Sequence, residues 1–213
     1  MTHPPPPCRP GEITVDRYLH WIGVGVAPIA VMVLIVAAWR RDLAMAISVL
    51  IYGAGLLAMI GCSALYHLCD DTCRKALFRR FDHAAIFLLI AGTYTPFALN
   101  KIGGYEGVGL FTFVWALAAC GIVCKLLWPG ALETASVAAY LLLGWSVLVV
   151  LDPLLSTVSS RTMALLAAGG ILYTVGVPFH VWRRLPYQNA IWHGFVLAGA
   201  GCHYAAIMNE VVS

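Results

Sequence analysis

The sequence is poor in charge. Of 213 residues only 13 are Lys or Arg and 10 are Asp or Glu, about half the charged share of an ordinary soluble domain. So few ionised side chains cannot clothe a water-facing surface. The apolar residues, 61% of the chain, are also not periodic enough to leave a wet face. A soluble globular fold is excluded on these grounds. The net charge of +3 is too small to suggest nucleic acid, and no basic run interleaves with aromatics, so no nucleic-acid partner is expected. A CxxC pair is also missing. The seven cysteines Cys8, Cys62, Cys69, Cys73, Cys120, Cys124 and Cys202 are scattered, most within apolar runs where a thiol acts as a small hydrophobe. Zinc-ribbon and thioredoxin-type motifs are thereby excluded. His67, Cys69, Asp70, Asp71 and Cys73 form one denser group, for which a polar turn between helices is preferred over a soft-metal site. No repeat at a solenoid period is present.

Long uncharged runs take the place of what is missing. Cutting the chain at every Asp, Glu, Lys and Arg leaves seven pieces of 18 to 27 residues: Tyr18–Trp39, Leu43–Cys69, His83–Asn100, Gly107–Cys124, Thr134–Leu151, Thr162–Trp182 and Leu185–Asn209. A bilayer's hydrocarbon core is crossed by about 20 residues of helix, and unpaired backbone is too costly in lipid for any other form of such runs. The expected fold is an all-α integral membrane protein, a seven-transmembrane-helix bundle spanning the cell's inner (plasma) membrane. Residues 1–17, with Pro4–Pro7, read as a short Pro-rich tail and lead-in segment; residues 18–213 form the membrane domain. The first run is too long for the apolar core of a cleaved signal peptide. Pro28, Pro96 and Pro178 mark kinks that neighbouring helices must cover. Gly53, Gly55, Gly194, Gly199 and Gly201 are candidates for close helix contact.

Loop charge sets the orientation. Arg9, Arg17, Arg74, Lys75, Arg79, Arg80, Lys125, Arg183 and Arg184 fall on the N-terminal side, against Arg40, Arg41, Lys101 and Arg161 on the other. The N-terminus is therefore expected inside and the C-terminus outside. A reducing compartment on the N-terminal side argues against disulfides there.

Ionisable side chains within spans are expensive, and functional by default. Seven crossings bring most of them to one level near the inner face. His67 closes the second run, with Ser63 one turn earlier on the same face. Asp82 and His83 open the third; Asn189 and His193 open the seventh. Glu12, Asp16 and His20 stand at the start of the first, and His180 closes the sixth. His203 alone lies deeper, about 15 Å along the axis from His193. The outer half is expected to be almost empty of ionisable groups.

At these positions the residues become recognisable. Cys62–His67 reads CSALYH, Arg79–Phe97 reads RRFDHAAIFLLIAGTYTPF, Asn189–Leu197 reads NAIWHGFVL and Glu12–Gly23 reads EITVDRYLHWIG. Together they resemble the hemolysin III family, the bacterial branch of the progestin and adiponectin receptor superfamily, over nearly the whole chain. The resemblance implies a seven-helix bundle with its N-terminus inside and a zinc site near the inner leaflet. It assigns His67 and His193 as metal ligands and Ser63 and Asp82 as their catalytic neighbours. A further ligand falls on Asn189, where relatives commonly carry His, and an amide is a poor zinc ligand beside imidazole. His20 or Asp82 would then supply the third ligand; His203, about 80° off the His193 face and too deep, cannot.

Two functions are carried forward. The first is a zinc-dependent intramembrane hydrolase of a lipid amide or ester, with a role in membrane lipid homeostasis and a membrane lipid as its substrate. The second is a non-enzymatic receptor or membrane-state sensor in which metal staples helices. A pore ranks last, because channel interiors want polar residues along the whole crossing.

Overall fold

The computed structural model describes residues 10–128 and 133–213, so the Pro4–Pro7 stretch and Cys8 lie outside the described residues. All regular structure among the described residues is helical: α1 Pro10–Trp39, α2 Leu43–Leu68, α3 Thr72–Phe97 with a π-helical turn at Ala98–Ile102, α4 Gly104–Leu127, α5 Glu133–Gly144, a 3-10 segment Trp145–Val150, α6 Leu151–Thr157, α7 Ser160–Val181 and α8 Gln188–Val212. α5, the 3-10 segment and α6 make one crossing, so seven helical spans are long and apolar enough to cross a membrane.

α1, α3 and α4 overrun their uncharged pieces. α1 begins at Pro10, not Tyr18, and carries Glu12, Asp16 and Arg17; α3 begins at Thr72, so Arg74, Lys75, Arg79 and Arg80 ride on a helix and not in a loop. A charge marks where hydrocarbon ends, but Lys, Arg and Glu are good helix formers and continue the helix into the interface. Side-chain caps start α2, α3 and α7. Asp42 accepts from the Met45 N–H at 2.7 Å, Asp71 from the Arg74 N–H at 3.0 Å, and Ser159 from the Thr162 N–H at 3.1 Å. The group around Cys69 is thus a polar turn, with Asp71 capping α3 and Asp70 meeting Arg17 at 3.3 Å. Cys69 and Cys73 are free thiols.

α1 packs on α2 and α8, α2 on α3, α3 on α4 and α7 on α8, while the fifth span touches α3, α4 and α7 more lightly. Successive contacts close the bundle into a ring. α2 and α3 meet backbone to backbone: a Cβ on Gly55 would lie 2.9 Å from the Leu88 carbonyl oxygen, and one on Gly92 3.2 Å from that of Ile51. Gly53 and Gly199 also sit under neighbouring side chains, whereas Gly194 and Gly201 face open space and serve no close contact. The outward surface is apolar, with Ile29 68%, Leu142 75% and Val149 87% exposed. In water such a surface would aggregate; in a bilayer it is the lipid face.

The break in the fifth span frees backbone groups that lipid cannot satisfy. Tyr94 of α3 covers them. Its hydroxyl lies 2.6 Å from the Gly144 carbonyl and 3.1 Å from that of Leu143, and accepts from the Val147 N–H at 2.9 Å.

The expectation of an outer half almost without ionisable groups needs correction. Glu210, 3% exposed, ends α8 about 25 Å along the axis from His193 at 1.5 Å per residue. Its carboxylate meets Lys101 Nζ at 2.5 Å, accepts from the Thr162 hydroxyl at 2.5 Å and from the Ser159 N–H at 3.3 Å. Arg41 donates to the carbonyls of Glu210 and Val211 at 2.5 and 3.3 Å, filling acceptors left open at a helix C-terminus. Glu210 lies one residue past the last uncharged piece, and Lys101 sits in a loop by the same criterion. Neither looked buried until the ring closed over both.

Candidate metal centre

Three helices bring five side chains together at the N-terminal end of the ring. Asp16 and His20 stand one turn apart on α1, Ser63 and His67 one turn apart on α2, and His193 one turn into α8. The i, i+4 spacing puts each pair on a single face. Asp16, His20 and Ser63 are buried, while His67 and His193 are half-buried.

The contacts are short. Asp16 Oδ1 accepts from His193 Nδ1 at 2.6 Å, and Oδ2 lies 3.1 Å from His67 Nδ1. His20 Nδ1 donates to the Asp16 backbone carbonyl at 2.8 Å, and His20 Nε2 lies 3.3 Å from the Ser63 hydroxyl. The ring centroids form a near-equilateral triangle: 4.8 Å from His20 to His67, 4.6 Å from His20 to His193 and 4.4 Å from His67 to His193. One ligand atom from each of Asp16, His20, His67 and His193 lies within 4.8 Å of the others. Three imidazoles and a carboxylate are a donor set that suits a divalent transition metal, zinc among them, so the cluster could hold such an ion.

A cavity of about 970 Å³ occupies the ring, at the upper end for a small-molecule pocket. Its lining includes Asp16, Ser63, His67, Asp82 and His193, together with apolar side chains such as Leu89, Leu110, Val147, Leu154 and Leu166. Asp82 has Ser63 as a side-chain partner and lies in the field of His67.

The structure therefore gathers His67 and His193, as expected from sequence, with Ser63 and Asp82 beside them. Asn189 lines the same cavity one turn before His193 but is exposed; the ligand atoms that meet come from α1 instead. His203 is turned to the Leu166 carbonyl at 3.3 Å, away from the cluster. The His180 ring lies tilted against Trp192, centroids 4.7 Å apart. Asp16 was seen in the sequence only as a group at the start of the first span. Its i−4 relation to His20 was the signal available, but the partners that define its role lie 51 and 177 residues further along the chain.

The fold and site define a multi-pass membrane protein of seven helices with a histidine–carboxylate cluster at one end of an internal cavity. The Haemolysin-III related family model matches residues 12–204, and the chain belongs to that family. It is 37% identical to Hemolysin-3 of Bacillus cereus over 94% of this chain and 92% of that protein. It is also 37% identical to the Hemolysin-3 homolog of Bacillus subtilis over 92% of this chain and 93% of that one. The human Monocyte to macrophage differentiation factor is 30% identical over 74% of this chain and 67% of its own length. No solved structure matches the chain.

Proposed function

We propose that this protein is a zinc-dependent intramembrane hydrolase of a lipid amide or ester, acting in membrane lipid homeostasis. The observation that carries the reading is the convergence of Asp16, His20, His67 and His193, of which Asp16, His67 and His193 reach one end of a largely apolar cavity with Asp82 and Ser63 beside them. The cavity walls suit an acyl chain, and the polar end suits the carbonyl that joins it to a headgroup. His67 and His193 would hold the metal. Zinc so held makes a neighbouring water far more acidic and polarises a carbonyl. Asp82 accepts the proton of the attacking water as the new C–O bond forms, and returns it to the leaving amine or alkoxide as the old C–N or C–O bond breaks. Ser63 donates to the oxygen that gains charge. The orientation proposed with this mechanism has the N-terminus in the cytoplasm, so that the cluster serves the inner leaflet; a reporter fused after Ser213 should then read as extracytoplasmic.

The test is zinc content and hydrolysis of fluorescent acyl-amides and acyl-esters by detergent-purified protein. Stoichiometric zinc is expected, with Asp82→Asn lowering kcat roughly 10²–10⁴-fold, the usual contribution of a general base. Protein without stoichiometric metal, together with turnover indifferent to Asp82→Asn, would end the proposal.

One observation favours a second reading. Four side-chain donors from three helices resemble a closed, structural metal site more than an open one. Metal would then staple α1, α2 and α8 in a receptor or sensor of membrane state. A chelator that lowers the melting temperature of a protein with no lipid turnover would select this reading.

A further inference from the structure

The metal reading leaves the third protein ligand open, because Asn189 offers only an amide, a poor zinc ligand beside imidazole. The hydrogen bonds around Asp16 answer the question. A backbone carbonyl and an ionised carboxylate can only accept hydrogen bonds. His20 Nδ1, 2.8 Å from the Asp16 carbonyl, must therefore carry its proton. His193 Nδ1 at 2.6 Å from Oδ1 and His67 Nδ1 at 3.1 Å from Oδ2 must carry theirs. One residue thus takes the Nδ1–H of three separate rings. In a neutral imidazole that fixes the other nitrogen, Nε2, as the one with a free lone pair. At His20 this nitrogen accepts from the Ser63 hydroxyl at 3.3 Å, a bond easily given up. Binding through one ring nitrogen while the other donates to a carboxylate or backbone carbonyl is the usual arrangement around protein-bound metals.

We infer that His20 is the third metal ligand, completing a three-imidazole Nε2 site with His67 and His193, and that Asp16 is the positioning residue that sets the tautomer of all three rings. First-helix ligation thereby replaces what Asn189 lacks on α8. Asp16 would then serve the three rings as their hydrogen-bond acceptor and not as a ligand, with Ser63 and Asp82 beside the imidazoles. This inference rests on the metal-binding part of the proposed function, but not on hydrolysis.

Zinc titration of detergent-purified protein against a chromophoric chelator tests it, with elemental analysis as a second readout. His20→Ala should lose stoichiometric zinc, and His20→Ala with Asn189→His should regain it, because the rescue returns an imidazole one turn from His193. Asp16→Asn should keep the stoichiometry at saturation but weaken affinity about 10–100-fold, the range for a lost outer-shell partner; Asp16→Glu should recover part of it. Rescue by Asn189→His also separates loss of a ligand from misfolding. Wild-type affinity in His20→Ala, or loss of stoichiometry in Asp16→Asn with none in His20→Ala, overturns the assignment. Wild-type protein that takes up no zinc overturns the metal reading itself, a result distinct from either.

Discussion

The two ends of the bundle each hold a buried carboxylate, and they use it oppositely. Glu210 is spent on partners of fixed charge and fixed geometry: an ammonium on the π-helical turn, and a hydroxyl and a backbone N–H at the start of α7. Nothing about it is exchangeable, and no cavity reaches it among the residues that line the main one. Asp16 faces three imidazoles, groups that change protonation and bind metals, at the edge of about 970 Å³ of space. A buried ion in lipid-facing protein is costly in either place. At the Glu210 end the return is closure of the ring; at the Asp16 end it is a cluster that could hold a metal ion.

Substitutions can break that contrast. His193→Ala should have the largest effect, taking bound zinc from stoichiometric to background in elemental analysis while the bundle still melts cooperatively. Glu210→Gln should do the reverse. Leaving Lys101 without its carboxylate should destabilise the bundle by about 3–5 kcal/mol, the cost of breaking a buried pair, with metal content unchanged; equal loss of metal would show the two ends to be one unit. Tyr94→Phe, which orphans the backbone groups at the Gly144 break, should cost about 1–3 kcal/mol in detergent melts. Arg17→Gln should be smallest. Its pairing with Asp70 is half-exposed to exposed on both sides and is worth at most about 1 kcal/mol, so a larger loss would mean Arg17 serves the neighbouring site.

The seven crossings could be read from the sequence because uncharged runs of membrane length are a one-dimensional signal. The true starts of the first and third could not, since α1 begins at Pro10 and α3, capped by Asp71, at Thr72, each carrying charged residues ahead of its uncharged run. His67, His193, Ser63 and Asp82 were legible through their local motifs, and depth alone put them at one height. Asp16 and Glu210 were not. Each is a charge near the end of an apolar run, which in one dimension looks solvated. Only contacts spanning the chain, Asp16 to His193 and Lys101 to Glu210, turn the two into interior groups. The same cut that revealed the spans hid both.

The six-residue 3-10 segment Trp145–Val150 also sets the inner wall of the ring. A 3-10 turn advances about 120° and 2.0 Å per residue against about 100° and 1.5 Å in an α-helix. Over this stretch the crossing gains about 3 Å in length and about a third of a revolution. Leu154, 1% exposed, is one of the side chains that this extra rotation points inward. Straightening the segment would turn it about a third of a revolution from the place it holds, so the shape of the chamber is written into the pitch of one short piece of backbone as much as into the side chains that line it.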